Sequence, residues 1–204
     1  MKYICYSIER LAAIVRERLG TTLVVLVISL YVGMAVLISS TASTQTINVN
    51  AFGVNIDIRG TMRNGKLDKI LKTLRKADRN LPVYIDIDTR GGELRATKDL
   101  IDVLQVWKGK VHTHVNRIAA SAGATLFLIG DVRTMSKQAY LMFHTCSTSP
   151  FKGSCPSRIE RWLQDYFSCR LGKARTWVKK HLLTGDNYFN KSRAKAAGML
   201  SRDR

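Results

Sequence analysis

From Val54 onward the chain changes its apolar period repeatedly, from two to about 3.6 and back, and that alternation limits the folds open to it. "VNIDIRG" (54–60) alternates apolar with polar and predicts a strand. "GKLDKILKTLRKA" (65–77) sets Leu67, Ile70, Leu71 and Leu74 on one helical face. "PVYIDIDT" (82–89) predicts a second strand, and Gly91-Gly92 then leads into a helix, "ELRATKDLIDVLQVW" (93–107). "KVHTHVN" (110–116) predicts a third strand, "AASAGATLFLIG" (119–130) a third helix, and "AYLMFHT" (139–145) a further strand. A long amphipathic helix is expected within 157–183. Strand and helix in alternation specify an α/β domain with a mainly parallel sheet and right-handed crossovers. In such sheets functional groups collect beyond the carboxyl ends of the strands. Gly91-Gly92 and the Ser121 segment should therefore share one edge.

Upstream, no charged residue occurs between Gly20 and Ile56. Within that stretch "TTLVVLVISLYVGMAVLIS" (21–39) has the roughly 20 apolar residues that a membrane-spanning helix needs. Lys2, Arg10, Arg16 and Arg18 precede it, offset only by Glu9 and Glu17, which favours a cytoplasmic N-terminus. The expected organisation is a cytoplasmic N-terminus (1–20), a transmembrane anchor or uncleaved signal (21–39), a polar linker (40–53) and a folded domain (54–204). That domain would lie on the periplasmic or outer side of the inner membrane. "SSTAS" (39–43) offers a signal cleavage site after Ala42, but the apolar run exceeds the 7–15 residues typical of a signal core, so a retained anchor is favoured. A buried core helix fits less well, because the run is apolar on every side.

Of 204 residues, 46% are hydrophobic, enough for one core of ordinary size, while 33 Lys+Arg against 15 Asp+Glu leave a net charge of +18. So basic a chain suggests a polyanion as neighbour. Its cations are spread over 59–204 without a block of five or an arginine-rich arm, which argues against nucleic acid. Cys5 lies before the anchor, whereas Cys146 and Cys155 bracket the loop-like "STSPFKGS" and would close a small disulfide loop in an oxidising compartment. Cys169 is also available, so the pairing stays open. The cysteine spacing fits no common zinc pattern, and no metal is expected.

Four features stand out together. Gly91-Gly92 lets the backbone approach a ligand closely and aim its N–H groups. Ser121 sits among small residues near a helix start, His144 ends the strand "AYLMF", and Asp186 opens "DNYFNKSRAKAAG". Each alone has an ordinary explanation: a turn, a tightly packed helix, a structural histidine, a cap. His112, His114 and His181 compete for the role of base. The motif at the glycines is not a nucleotide-binding loop.

Taken jointly, residues 54–200 resemble the ClpP family of serine proteases, within the wider ClpP/crotonase fold. "YIDIDTRGGELRATKDLIDVLQ" is similar to that family's strand, Gly-Gly turn and helix. "NRIAASAGATLFLIG" is similar to its nucleophile segment, "QAYLMFHT" to the segment ending in its histidine, and "DNYFNKSRAKAAGML" to the tail that begins with its aspartate. The resemblance implies that Ser121 is the nucleophile, His144 the general base and acid, and Asp186 the orienting carboxylate. It implies an oxyanion hole from the N–H groups of Gly92 and Ala122. It also implies a homo-oligomer that hydrolyses peptide or protein substrates without metal or organic cofactor.

Arg90 stands where the family usually has proline, Ala122 where methionine is common, and the His-to-Asp interval is short and holds "CSTSPFKGSC". Signal peptide peptidase A is a membrane-attached relative of this fold but uses a Ser–Lys pair. The histidine segment here favours the triad. Alternatives keep the fold without proteolysis: an acyl-thioester enzyme that uses the oxyanion hole alone, or a basic, membrane-tethered scaffold.

Overall fold

The computed structural model describes residues 44–145, 147–148, 153–154 and 156–201, within a folded unit that spans Ala42–Arg204. The expected cytoplasmic segment 1–20, the apolar run 21–39, Cys5, Cys146 and Cys155 lie outside the described residues. Among the described residues no helix is long and apolar enough to cross a membrane.

The strands are β1 (Gln45–Asn50), β2 (Gly53–Arg59), β3 (Val83–Thr89), β4 (Val111–Ala120), β5 (Val132–Met135), β6 (Tyr140–Phe143), β7 (Ser147–Thr148), β8 (Gly153–Ser154) and β9 (Asn187–Asn190). The helices are α1 (Asn64–Leu74), α2 (Leu94–Gln105), α3 (Ala122–Phe127), α4 (Ser157–Leu171), α5 (Arg175–Leu182) and α6 (Lys191–Ala196). One seven-stranded sheet runs β1-β2-β3-β4-β6-β9, with β5 also paired to β4. Strands β2 to β6 are mutually parallel, while β1 and β9 close the two sides antiparallel. The expected mainly parallel α/β architecture is present in the folded unit.

The alternation that announced β2 and β3 is the alternation of their burial. Val54, Ile56, Ile58, Val83, Ile85 and Ile87 are buried, and Asn55, Tyr84 and Asp86 turn outward. Helix α1 lays its predicted face, Leu67, Ile70, Leu71 and Leu74, into the core beside α2 and β1. Truncating any of these to alanine would cost roughly 2–5 kcal/mol.

Three boundaries differ from expectation. The stretch read as linker, 40–53, contains β1, whose residues pair with β2 from Gln45↔Ile58 to Asn50↔Gly53. It looks like a linker because it is an edge strand that exposes most of its side chains. The helix expected over 119–130 begins only at Ala122, because β4 continues through Ala119 and Ala120 to pair with Leu141 and Met142 of β6. Sheet pairing there overrides the helix preference of alanine. The long helix expected within 157–183 is two helices, since α4 ends on Gly172 in the left-handed region at φ 62°.

Helix α4 clamps the short α3 from outside. The Arg170 guanidinium donates to the carbonyls of Leu128, Ile129 and Gly130 at 2.7, 2.8 and 2.7 Å. These carbonyls follow the end of α3 and have no partners within it, so a cation suits them. One turn earlier the Tyr166 hydroxyl donates to the Thr125 carbonyl at 3.2 Å.

Candidate active site

Topology gathers the candidate residues. Strands β3, β4 and β6 are parallel neighbours, and Gly92, Ser121 and His144 each follow the carboxyl end of one of them. Strand β9 runs the opposite way, so Asp186, the residue before it, belongs to the same rim.

At Ser121 the chain leaves β4 and enters α3 with φ 54° and ψ −119°. Among the described residues Ser121 is the one non-glycine with positive φ. An L-residue there clashes with its own backbone, a strain of roughly 1–3 kcal/mol that surrounding structure must hold in place. The surroundings do hold it. The Ser121 N–H donates to the Met142 carbonyl at 2.8 Å, and the Ser121 carbonyl accepts from the Thr125 N–H at 3.0 Å and from the Thr125 hydroxyl at 3.1 Å. Its neighbours Ala120 and Ala122 are 1% exposed, whereas Ser121 itself is partly open. A sharp strand-to-helix turn of this kind presents a hydroxyl at the sheet's edge.

The glycine turn packs directly on it. A Cβ on Gly91 would lie 2.6 Å from the Ala120 carbonyl oxygen and 3.1 Å from the Ala122 nitrogen, and one on Gly92 would lie 2.1 Å from the Met62 carbonyl oxygen. Both glycines also have positive φ, 101° and 151°. No other residue fits either position without moving backbone. The Met62 N–H donates to the Gly91 carbonyl and the Glu93 N–H to the Met62 carbonyl, both at 2.9 Å. Since strand groups alternate sides, those two bonds leave the Gly92 N–H facing away from Met62. The Ala122 N–H opens α3 and has no intrahelical acceptor. Thr89 braces the turn: its Oγ1 accepts from the Gly91 N–H at 2.9 Å and donates to the Gly60 carbonyl.

On the base side the β6–β9 ladder pairs Tyr140 with Asn190 and ends at Phe143 with Asn187. His144 is the residue after β6 and Asp186 the residue before β9, so the two flank the end of that ladder. The Thr145 hydroxyl donates to the Leu183 carbonyl, tying the chain after His144 to the segment before Asp186. The Asn187 amide shapes that segment by donating to the carbonyls of Thr184 and Gly185 at 3.0 and 3.2 Å. His144 is partly exposed and Asp186 exposed. Among the described residues no hydrogen bond joins the Ser121 hydroxyl, the His144 ring and the Asp186 carboxylate.

Ser121 and His144 line one small cavity, together with Leu94, Ala122, Thr125, Phe143, Leu163 and Phe167. The competing histidines stand elsewhere. His112 stacks on Tyr84, both ring nitrogens of His114 meet hydroxyls of Thr134 and Ser136, and His181 stacks on Trp177. Among the described residues no group of three or more His, Cys, Asp or Glu side chains is placed to hold a metal. Cys169 is free and exposed.

Sequence reading missed Thr89, Thr125, Tyr166 and the two α4 side chains, Leu163 and Phe167. Thr89 and Thr125 brace the turn from close by, whereas Tyr166, Leu163 and Phe167 reach the site from far along the chain and carry no local motif. Burial pushes the Tyr166 phenol above its ordinary range, keeping it protonated as the donor to Thr125.

Comparison with known proteins shows that a Clp protease family model fits residues 53–202. No curated protein matches the chain.

Proposed function

The chain belongs to the Clp protease family of peptidases, and from that premise we propose that it is a serine endopeptidase working through Ser121, His144 and Asp186. The observation that carries this reading is the strained backbone of Ser121, in a cavity shared with His144.

In the reaction Ser121 Oγ bonds to the peptide carbonyl carbon while its proton passes to His144. The carbonyl oxygen becomes an oxyanion and takes N–H hydrogen bonds from Gly92 and Ala122. His144 then gives its proton to the nitrogen of the breaking C–N bond, and the amine leaves. Water enters, loses a proton to His144 and attacks the acyl-enzyme. The Ser121 oxygen recovers its proton and the acid product departs. Asp186 holds the imidazole in the useful tautomer and stabilises its charged form. Backbone donors suit the oxyanion because they are aimed before the charge develops, and one such donor is typically worth roughly 10²–10³ in kcat.

Members of this family are typically oligomeric and act on peptides, and this chain does so as a homo-oligomer. Residues 21–39 anchor it in the inner membrane with the N-terminus in the cytoplasm and the peptidase domain on the other side. Extraction of membranes at alkaline pH should leave the full-length chain in the pellet, and external protease should reach the domain only once the outer side is opened.

The enzymatic test is labelling by a fluorophosphonate, read by intact mass, alongside hydrolysis of a fluorogenic peptide. Wild type should gain one adduct. Ser121→Ala should gain none and lose roughly 10⁴–10⁶ in kcat. An unlabelled wild type that is folded and inert on peptide overturns the assignment.

A further inference from the structure

Three arginines border the glycine turn. Arg63 follows Met62, whose backbone is bonded to the turn on both sides of Gly92. Arg90 stands immediately before Gly91, and Arg95 lies in the first turn of α2. A Cβ on Gly91 would lie 3.0 Å from the Ser121 Cβ. Adding one bond and one Cα–Cα step puts the Arg90 Cα within about 8–9 Å of that atom. Charges at that separation, close to the Debye length of roughly 8 Å at physiological salt, are felt at the hydroxyl.

All three side chains are exposed, and within the described residues none of them forms an ion pair. By contrast Arg59 and Arg117 are each taken up by a carboxylate, Asp57 and Asp88. Segments 61–65 and 89–95 together hold a single acid, the exposed Glu93. Neither α1 nor α2 has an acidic residue in its first turn. Arg63 and Arg95 stand at helix starts, where a cation is unfavourable, so helix stability does not account for them.

We propose that the preferred substrate is an acidic stretch of polypeptide, drawn to the cleft by Arg63, Arg90 and Arg95. This rests on the proposed peptidase reading, in which a chain that meets Ser121 passes the glycine turn to reach its N–H groups. Arg90 is the telling position, since the resemblance puts proline there. A proline would bring neither charge nor donor, whereas a guanidinium takes a carboxylate through two parallel hydrogen bonds. Several like charges about one cleft raise the encounter rate of an anionic partner, and salt removes the effect.

The test uses the full-length chain in neutral detergent with three fluorophosphonates, identical but for two glutamates, two glutamines or two lysines in a short peptide tail. In each a Ser121 Oγ–P bond forms, the P–F bond breaks, and the hydroxyl proton leaves with fluoride. At low ionic strength the glutamate probe should label at least about tenfold faster than the lysine probe, and about 0.5 M salt should bring the two within about threefold. Arg63→Gln with Arg90→Gln should lower the low-salt ratio at least about threefold. Lys108→Gln with Lys110→Gln removes the same charge at the amino end of β4, the opposite edge of the sheet, and should change the ratio less than about twofold. Should the arginine pair not fold, Arg90→Gln alone replaces it. Equal rates or a lysine preference in a wild type that labels, or an equal loss in both double variants, overturns the inference and leaves the peptidase standing. A folded wild type that takes no label overturns the peptidase reading and this inference with it.

Discussion

The two sides of the rim are held by different means. Around Ser121 the supports are backbone and well-packed side chains: the Met142 carbonyl, the Ala120–Gly91 approach, the Thr89 brace and the α4 clamp. Around His144 and Asp186 the supports are a short ladder, one hydroxyl and an asparagine turn, with the carboxylate exposed. The side of the proposed nucleophile is fixed by packing alone. The side of the proposed base and carboxylate is held more loosely, and on the proposed mechanism its hydrogen bonds tighten with substrate, as catalytic hydrogen bonds commonly do.

That contrast can be broken most sharply by the base. His144→Ala should reduce kcat by roughly 10⁴–10⁶, as loss of the nucleophile does, and Asp186→Asn by less, about 10⁴. Peptide hydrolysis at saturating substrate measures both. Equal losses would show the carboxylate to be as firmly held as the nucleophile. Gly92→Ala acts on the other side. Its methyl would meet the Met62 carbonyl, and displacement of the turn should reduce kcat/KM by at least about 10²-fold. Titration with the fluorophosphonate would separate mispositioned from unfolded enzyme.

The smallest effect concerns Tyr166. Tyr166→Phe loses a buried hydrogen bond worth about 1 kcal/mol, read as a lower midpoint in urea unfolding. Burial raises the phenol's pKa in the folded chain, so its contribution is complete below the unfolded value of about 10 and is lost as pH rises above it. Wild-type stability should therefore fall more steeply than that of Tyr166→Phe above about pH 10. Parallel slopes would show that the phenol does not titrate with unfolding.

How much of this was legible beforehand follows the same division. Strands β2 and β3 and helices α1 and α2 were readable because one buried face imposes its period on each segment. Strand β1 was not, since an edge strand with polar exposed residues carries the composition of a linker. The extension of β4 to Ala120 depends on partners more than 20 residues on, Tyr140 to Met142. Around the site, small residues about Ser121 and the two glycines have a local reason in close packing, so they showed. The Phe143–Phe167 wall joins a strand to a helix formed later in the chain, and no spacing announces it. That His144 and Asp186 flank the same end of paired strands is a matter of topology, which only the ladder supplies.

One further result comes from the backbone of Ser121. Its φ and ψ of 54° and −119° are those a glycine takes at the first central position of a type II′ turn. Ser121→Gly should accordingly be more stable than the parent by up to about 1–3 kcal/mol, while losing the hydroxyl on which the proposed chemistry depends. A library sorted on heat tolerance alone would drift toward that silent scaffold, so any engineering of this domain must select on the chemistry as well.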